Sequence, residues 1–326
     1  MKVSVLIITY QRKHLLQKCL QSLKDQHSHA YEIEVLIFVN GRDTRSAYLS
    51  SQFDLNTTVE SSETTQSPAL ARNRLLPKVS GQYVLFLDDD VELPLDYFQK
   101  SYVYASKNHP CFGGPDVLPK SPTLFQQALS VSQKLWMSSA HTRYRHGVKA
   151  SPDKIISSGE ELILCNLWLK PELLTKHDLS FDGRFYRNEE NILIYQLIGH
   201  GVECLFAPEL YVHHFKKDTL IKALKAIASS GYHRALSFRY YPRSTRLIYF
   251  IPTAFVLFLL LGFLIEPRLY LGVLVLYLSL GFINLMINAI RERYNLKIIC
   301  VAWCLQILTN LTYGAGFLGG LVDFRR

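Results

Sequence analysis

Residues 83–91 read YVLFLDDDV, an apolar run that leads directly into three consecutive carboxylates. Like charges this close repel each other, and burial would raise their pKa values, so the arrangement favours a divalent cation or a cluster of hydrogen-bond donors that offsets the charge. Asp88 and Asp90, with one residue between them, can direct two oxygens at one divalent ion, because hard cations prefer oxygen ligands. A strand that ends in a solvated acidic turn is the alternative interpretation, and both fit the stretch taken alone.

The residues before this stretch alternate between strand and helix patterns. The run at 3–9 is apolar and β-branched, apolar residues at 15–23 recur at helical spacing, and 34–39 reads as a second strand. Residues 69–76 read as a helix, and 83–87 is the third strand. Such repeats predict an α/β fold with parallel strands, whose ligands lie at the carboxyl ends of the strands. The three strand tips are therefore expected to face one crevice.

A second block of structure is predicted between residues 155 and 215. Glu189 and Glu190 open a helix at 191–200, and short strands are predicted at 202–206 and 211–215. Carboxylates at a helix N-terminus are stabilised by the helix dipole, so capping is the simplest role for this pair.

The last quarter of the 326-residue chain is its most apolar part. Charges nearly vanish at 247–265, 269–290 and 298–322, and about 20 apolar residues suffice to cross a bilayer. The first two segments predict a helical hairpin. Polar side chains interrupt the third, namely Gln306, Thr309, Asn310 and Thr312. Two or three membrane spans are therefore predicted.

Basic residues flank the hairpin. Arg243 and Arg246 precede its first segment, and Arg291, Arg293 and Lys297 follow its second. Because Lys and Arg are enriched on the cytoplasmic side of spans, the polar part of the chain is expected in the cytoplasm. The absence of a signal-peptide pattern and six cysteines without metal-finger spacing agree with that location.

The segment 216–246 is basic and amphipathic. Its Lys and Arg residues lie beside an apolar stripe formed by Leu220, Leu224 and Ile227. A basic amphipathic helix next to a span is typical of a segment at anionic headgroups. The formal net charge of +9 makes nucleic-acid binding the alternative, but the positive charge is concentrated beside the predicted spans. We therefore predict contact with membrane lipids and no nucleic-acid partner.

A set of short motifs follows a fixed order along the first two thirds of the chain. They lie at 3–12, 71–73, 81–90 and 166–174, followed by Phe181-Asp182 and Glu189-Glu190. In this order they resemble the family 2 glycosyltransferases, which have the nucleotide-sugar-binding fold called GT-A, and in particular membrane-anchored bacterial members. The resemblance implies a GT-A domain at 1–215, followed by an interfacial segment at 216–246 and a membrane domain at 247–322, at the inner membrane.

The resemblance also implies which residues contact the donor nucleotide. The matching positions are Thr9, Tyr10, Arg12, Asn40, Arg72, Asn73, Asp88 and Asp89. Relatives usually have paired acids where this chain has Val39 and Asn40, so the amide of Asn40 is expected at the base edge. Asp88 is expected at the ribose and base, with Asp89 supporting it.

A divalent cation, Mn2+ or Mg2+, is implied by the same resemblance. Asp90 and Asp88 match its ligands, and His214 is expected to complete the metal or diphosphate site, with His213 as the alternative. Such a cation neutralises charge that develops on a leaving nucleoside diphosphate.

The last implied role is that of the catalytic base. Glu190 matches the second acid of the family's acidic pair, where relatives have Asp, and Glu189 matches the first. The implied reaction is an inverting transfer from a nucleotide-diphosphate sugar to a glycan or lipid-linked acceptor in cell-envelope polysaccharide synthesis. The alternatives are an inactive nucleotide-sugar-binding scaffold and a nucleotidyltransferase. The latter normally has a glycine-rich loop after its first strand, which residues 9–12 lack.

Overall fold

The computed structural model describes residues 1–26, 30–147, 154–156, 159–264 and 266–323. The chain divides into two compact units. The first comprises Met1–Lys120 and Gly147–Phe215, and the second comprises Ser121–His146 and Lys216–Arg326. Residue 265, the predicted end of the first apolar segment, lies outside the described residues.

The first unit contains the strands. They are β1 (Lys2–Thr9), β2 (Glu32–Val39), β3 (Asn56–Ser61), β4 (Tyr83–Asp88), β5 (Val91–Glu92), β6 (Cys111–Gly113), β7 (Asp116–Val117), β8 (Lys154–Ile156), β9 (Asn166–Leu169), β10 (Cys204–Phe206) and β11 (Val212–His214). Over the described residues they form an eight-stranded sheet in the order β3-β2-β1-β4-β9-β6-β10-β8 and a three-stranded sheet in the order β5-β11-β7.

Parallel pairing brings three strand tips to one edge of the larger sheet. β1 pairs in parallel with both β2 and β4, with Thr9 opposite Val39 and Ile8 opposite Asp88. The predicted parallel arrangement of these strands is therefore confirmed. Beyond β4 the sheet is mixed, because β9 is antiparallel to β4 and β6.

Helices occur in both units of the chain. They are α1 (Lys13–Lys24), α2 (Thr44–Gln52), α3 (Pro68–Leu75), α4 (Tyr97–Ala105), α5 (Leu124–Lys134), α6 (Trp136–Ser139), α7 (Glu172–Lys176), α8 (Glu189–Gly199), α9 (Leu220–Tyr240), α10 (Ile251–Leu261), α11 (Pro267–Glu292) and α12 (Leu296–Val322). Leu16, Cys19, Leu20 and Leu23 of α1 recur at helical spacing and are buried in one core with alternate residues of β1.

The elements α2 and β3 are among those that were not expected from the sequence. The helix α2 is short and polar, and it begins because Asp43 Oδ1 accepts a hydrogen bond of 3.1 Å from Ser46 N. The strand β3 lies at the edge of the sheet and is only partly buried, so it needs no apolar run.

The three-stranded sheet carries β11 beside the turn that follows β4. Gly114 lies between β6 and β7, and a Cβ added there would lie 1.9 Å from the carbonyl oxygen of Leu210. Only glycine allows two backbones to approach so closely. In β11, His214 pairs with Val91 and His213 with Glu92.

The second unit contains the apolar helices. Three segments are long and apolar enough to cross a membrane by length and composition: Leu247–Leu264, Pro267–Glu292 and Leu296–Val322. The third is one helix, and its Gln306 and Asn310 are buried. Asn310 Nδ2 donates to the hydroxyl of Tyr277 in α11 at 2.7 Å. The polar residues that interrupt the apolar pattern therefore include side chains that face neighbouring helices.

The basic helix α9 runs alongside α12 in the same direction. Cβ atoms added at Gly316 and Gly320 would lie 2.1 Å from Ala228 O and 2.5 Å from Tyr232 O. At the far end, Arg239 Nη1 donates to the carbonyl of Asp323 at 2.5 Å. Small residues spaced four apart allow this close helix packing.

Candidate active site

The three aspartates lie at the carboxyl end of β4. Asp88 is the last residue of the strand, and Asp89 and Asp90 form the turn before β5. The side chain of Asp88 is 37% exposed, whereas those of Asp89 and Asp90 are each 4% exposed. Thr9, at the tip of β1, donates its hydroxyl to Asp89 Oδ2 at 2.8 Å. The solvated-turn interpretation therefore fits Asp88 alone.

Arg12 supplies positive charge to the two buried aspartates. Its Nη1 donates to Asp89 Oδ1 at 3.0 Å and to Asp90 Oδ2 at 2.8 Å. Burial raises the pKa of Asp89 to about 7, although Arg12 opposes the rise. Burial lowers the pKa of Arg12, but the neighbouring aspartates outweigh it and the net direction is upward. Arg12 therefore partly neutralises the negative charge of Asp89 and Asp90.

His214 faces Asp90 from β11. Its Nε2 lies 3.2 Å from Asp90 Oδ1, and its Nδ1 lies 2.6 Å from Asp116 Oδ2. The strand is held there because Phe215 N donates to Asp90 O at 2.8 Å. Burial lowers the pKa of His214, yet Asp90 and Asp116 more than offset this and raise the pKa to about 9. His213 instead directs Nδ1 at the carbonyl of Leu118, 2.7 Å away.

A group of possible metal ligands surrounds the same histidine. One ligand atom each from Asp116, Cys165 and His214 lies within 4.8 Å of the others. The 2.6 Å contact between Asp116 and His214 Nδ1 is a hydrogen bond and leaves no room for an ion between the two atoms. The other ring nitrogen, Nε2, is better placed to bind an ion together with Asp90, whose Oδ1 lies 3.2 Å away. Two ligands of one ion stand about 3 Å apart when each metal–ligand distance is about 2.1 Å.

Asp116 was not predicted to belong to the site. It is 1% exposed, and hydrogen bonding to a ligand histidine is the usual way in which a carboxylate orients that ring. The only sequence signal near it is the Gly113-Gly114-Pro115 turn, which gives no chemical clue.

Arg72 joins the acids of β4 to those of α8. Its Nη1 lies 2.9 Å from Glu189 Oε1, and its Nη2 lies 3.2 Å from Asp88 Oδ1. The guanidinium also lies over the ring of Phe181, 5.8 Å from the centroid. The side chain of Arg72 is only 7% exposed. It is therefore a buried link between Asp88 and Glu189, which lie far apart in the chain.

Glu189 and Glu190 are the first residues of α8. Asn188, before them, has a φ of +74°, a left-handed conformation that asparagine tolerates better than most residues. Burial raises the pKa of Glu189 to about 7, while Arg72 acts in the opposite direction. Glu190 is 8% exposed and accepts from Asn191 Nδ2 at 3.2 Å.

Two asparagines expected at the nucleotide bond to loop backbones. Asn40 accepts from Gln66 N and donates to Gln66 O, both at 2.9 Å. Asn73 makes the same pair of bonds with Phe181, at 3.0 and 2.7 Å. Each amide thus bonds a loop backbone as a neighbouring strand would, and holds that loop in place. Tyr10, by contrast, is 45% exposed at the tip of β1.

Eight of the twelve candidate site residues form two connected groups. Thr9, Arg12, Asp89, Asp90 and His214 form one, through the contacts at the turn after β4. Arg72, Asp88 and Glu189 form the other.

Comparison with known proteins shows which family the first part of the chain resembles. Residues 4–154 match the family model described as glycosyl transferase family 2. The GalNAc(5)-diNAcBac-PP-undecaprenol beta-1,3-glucosyltransferase of Campylobacter jejuni subsp. jejuni serotype O:2 is 34% identical over 99 residues, which is 28% of this chain and 30% of that protein. The chain thus spans less than a third of that relative.

A solved structure resembles nearly the whole chain. The mannosyltransferase PcManGT from Pyrobaculum calidifontis, in complex with GDP-Man and Mn2+, has a TM-score of 0.65 at 13% identity and covers 99% of this chain and 88% of its own. The likeness supports an α/β GT-A-like domain followed by apolar helices. Together with the sequence match, it confirms the resemblance drawn from the motifs, and residues 4–154 are a family 2 glycosyltransferase domain.

Proposed function

We propose that the protein transfers a sugar from a nucleoside-diphosphate sugar to a membrane-associated acceptor with the aid of a divalent cation. The observation that carries the proposal is the pairing of Asp90 with His214, 3.2 Å apart, at the edge where the parallel strands end. The family match and the sugar-transferase relative support the reaction class.

The residues fit a divalent cation. Asp90 and His214 would hold it, because one carboxylate oxygen and one imidazole nitrogen already face each other at a separation suited to neighbouring ligands. Asp116 would keep the ring of His214 aimed at the site. The exposed carboxylate of Asp88 lies on the same turn. A cation held there would offset the charge of the leaving diphosphate.

Arg12 has a second role in this proposal. In the free protein its guanidinium neutralises Asp89 and Asp90. Since a cation and a guanidinium both compensate the same carboxylates, Arg12 would turn from Asp90 toward the donor phosphates once the cation is held. Arginine suits this exchange because its planar fork pairs with carboxylate and phosphate alike.

The nucleotide would lie between the tip of β1 and the start of α3. Tyr10, which is exposed, is proposed to pack against the base or ribose, and Asp88 to accept from the ribose. Asn40 and Asn73 would act on the nucleotide indirectly, through the loops at Gln66 and Phe181 that their amides hold.

Glu190 is proposed as the base that takes the proton of the acceptor hydroxyl. Its position at the start of α8, directly after Glu189, supports this role. A carboxylate that deprotonates a hydroxyl must come within about 2.6–3.2 Å of it. Attack on the side opposite the leaving diphosphate would invert the anomeric centre.

A lipid-linked acceptor at the inner membrane is proposed on two grounds. The three apolar segments are long enough to span a bilayer, and the name of the Campylobacter relative specifies an acceptor on undecaprenyl diphosphate. We propose that the first unit faces the cytoplasm, where the basic segment 216–246 would contact anionic lipid headgroups.

The test uses the full chain in detergent with a panel of UDP-, GDP- and dTDP-sugars, Mn2+ or Mg2+, and an undecaprenyl-diphosphate glycan acceptor. Release of nucleoside diphosphate is measured beside Asp90→Asn and Glu190→Gln, with His213→Ala as the matched control. We expect one donor to be consumed, with losses of at least about a hundredfold in both site variants and none in the control. Nucleotide sugars that neither bind nor turn over would refute the proposal.

A further inference from the structure

A buried side-chain amide bonds the segment of chain that leads to His214. Asn166 is the first residue of β9 and is fully buried. Its Nδ2 donates a hydrogen bond of 2.6 Å to the carbonyl oxygen of Leu210. Leu210 is fully buried as well, and it lies two residues before β11 begins at Val212. The amide therefore fixes the position of the backbone from which β11 starts.

Two further buried side chains set the orientation of this amide. The indole Nε1 of Trp168 donates to the hydroxyl oxygen of Tyr97 at 2.9 Å, and this hydroxyl donates in turn to Asn166 Oδ1. An indole N–H can only donate, and a hydroxyl has one proton to give. Oδ1 is therefore the acceptor of the Tyr97 hydroxyl, and Nδ2 is left to face Leu210. All three hydrogen bonds form in this one orientation of the amide.

The carbonyl of Leu210 lies where two segments of the chain meet. A Cβ added at Gly114 would lie 1.9 Å from Leu210 O, so the segment between β6 and β7 contacts the segment between β10 and β11 at this atom. Just beyond the contact, Val212 N donates to Pro115 O at 3.0 Å, and Val212 pairs with Asp116. The contact at Leu210 O thus comes directly before the pairing of β7 with β11.

These two strands carry two side chains of the candidate metal site. Asp116 lies two residues after Gly114, and His214 lies four residues after Leu210. Asp116 Oδ2 is 2.6 Å from His214 Nδ1, and His214 Nε2 is 3.2 Å from Asp90 Oδ1. A shift of about 1 Å between the strands would take the first contact beyond hydrogen-bonding distance. The site therefore depends on the register of β7 and β11.

The backbone of Asn166 belongs to the strand beside the aspartates. β9 pairs with β4, and Asn166 lies opposite Leu87, one residue before Asp88. Its side chain bonds the segment that leads to β11. Asn166 thus connects the strand that precedes Asp90 with the strand that carries His214, and these two residues are the proposed ligands.

We propose that Asn166 is a positioning residue of the metal site. Its amide holds the carbonyl of Leu210, and through that backbone it sets the register that brings His214 to Asp90. The inference rests on the proposed function and adds to it a residue that acts on the cation through the backbone.

The test measures the Mn2+ affinity of the full chain in detergent by electron paramagnetic resonance. Asn166→Leu keeps the approximate size of the side chain and removes its polar atoms. We expect it to bind Mn2+ about five- to tenfold more weakly than wild type, since groups that orient metal ligands contribute about 10–100-fold and Asn166 acts one step further away. Phe98→Leu, in the aromatic core around Trp168, is the matched control. It should lower the thermal stability and keep the Mn2+ affinity within about twofold of wild type.

A double-mutant cycle shows whether Asn166 acts through His214. Adding Asn166→Leu to His214→Ala should change the Mn2+ affinity by less than about twofold, because the positioned ring is already absent. A full additional loss in that background would overturn the inference, since the amide would then act on another part of the site.

The outcomes separate the inference from the proposed function. Equal Mn2+ affinity of wild type and Asn166→Leu would overturn the inference and leave the proposed function in place. If wild type bound no Mn2+, or if His214→Ala bound it as wild type does, the proposed metal site would be refuted and the inference with it.

Tyr97→Phe decides the question if Asn166→Leu does not fold. Without the hydroxyl, the amide of Asn166 loses the bond that orients it toward Leu210. We therefore expect Tyr97→Phe to bind Mn2+ about threefold more weakly, the usual effect of one hydrogen bond, and to show no such loss in the His214→Ala background. Wild-type Mn2+ affinity in folded Tyr97→Phe would overturn the inference.

Discussion

Arg12 Nη1 donates a hydrogen bond of 2.8 Å to Asp90 Oδ2, so an internal cation already lies against the carboxylate proposed to hold an external one. The same nitrogen lies 3.0 Å from Asp89 Oδ1. The guanidinium stabilises the two buried acids in the free protein. It must also compete with any ion that approaches them.

Removing this competitor should tighten metal binding. In the absence of nucleotide, Arg12→Ala is expected to bind Mn2+ at least about fivefold more tightly than wild type, because a positive charge within about 3 Å of the ligands is lost. Electron paramagnetic resonance of free Mn2+ during a titration measures this directly. Lys24→Ala, at the other end of α1 and exposed to a similar degree as Arg12, is the matched control. Mn2+ binding by Arg12→Ala that is equal to or weaker than that of wild type would contradict the proposal that the cation displaces Arg12 from Asp90.

His214 and Asp116 should act on the metal together. His214→Ala removes a proposed ligand, and Asp116→Asn weakens the hydrogen bond that orients its ring, so each is expected to lower Mn2+ affinity by about 10–100-fold. His213→Ala should leave the affinity unchanged, since that ring faces the carbonyl of Leu118. If His213→Ala lowered Mn2+ affinity more than His214→Ala, His213 and not His214 would be the metal ligand.

The packing of α9 against α12 depends on glycine at defined positions. A Cβ at Gly316 would lie 2.1 Å from Ala228 O, so Gly316→Ala should reduce the free energy of unfolding by about 1–3 kcal/mol. Gly319 has no neighbour within 4 Å of an added Cβ, and Gly319→Ala should be neutral or slightly stabilising. Thermal unfolding in one detergent compares them. Equal losses in both variants would exclude helix packing as the cause.

The stability of the first unit should depend on pH through Glu34. Burial raises the pKa of this carboxylate, but hydrogen bonds from Ser4 and Ser80 and the nearby Lys2 outweigh it and lower the pKa to about 2. A depressed folded pKa contributes stability above the unfolded value, near 4.5, which is lost as pH falls toward 2. Glu34→Gln should therefore be about 1–2 kcal/mol less stable at pH 7.

The difference between Glu34→Gln and wild type should shrink as the pH is lowered from 4.5 toward 2. Denaturant unfolding at pH 7, 4.5 and 3 checks this, with the exposed Glu32→Gln on the same strand as the control. If the stability difference between Glu34→Gln and wild type did not change over this range, the ionised Glu34 carboxylate would not be the source of the stability.

The motifs and the apolar pattern predicted much of the fold correctly. The strands at 3–9, 34–39 and 83–87 and the helix at 69–76 are present, with ends shifted by one or two residues. These predictions succeed because burial on both faces of a strand, or on one face of a helix, leaves a local period in the sequence. The edge strand β3 and the polar helix α2 leave no such period and were missed.

The contacts of the candidate site residues were harder to predict from the sequence than the fold was. The role proposed for Asn40 at the base edge stays a prediction, and its amide already bonds the backbone of Gln66. Asp116 was missed, because a single acid after a glycine-rich turn resembles any surface acid until β7 pairs with β11 and brings it to His214. Nothing local in the sequence distinguishes such residues.

Four features could be predicted from consecutive residues: the strands that end at one edge of the sheet, the acids after β4, the acidic start of α8 and the apolar helices. The folded chain was needed to show that Arg12 neutralises Asp89 and Asp90, that Arg72 joins Asp88 to Glu189, and that His214 rather than His213 faces Asp90. These contacts join residues many positions apart, and their partners are selected by sheet order and register. No local pattern carries that information.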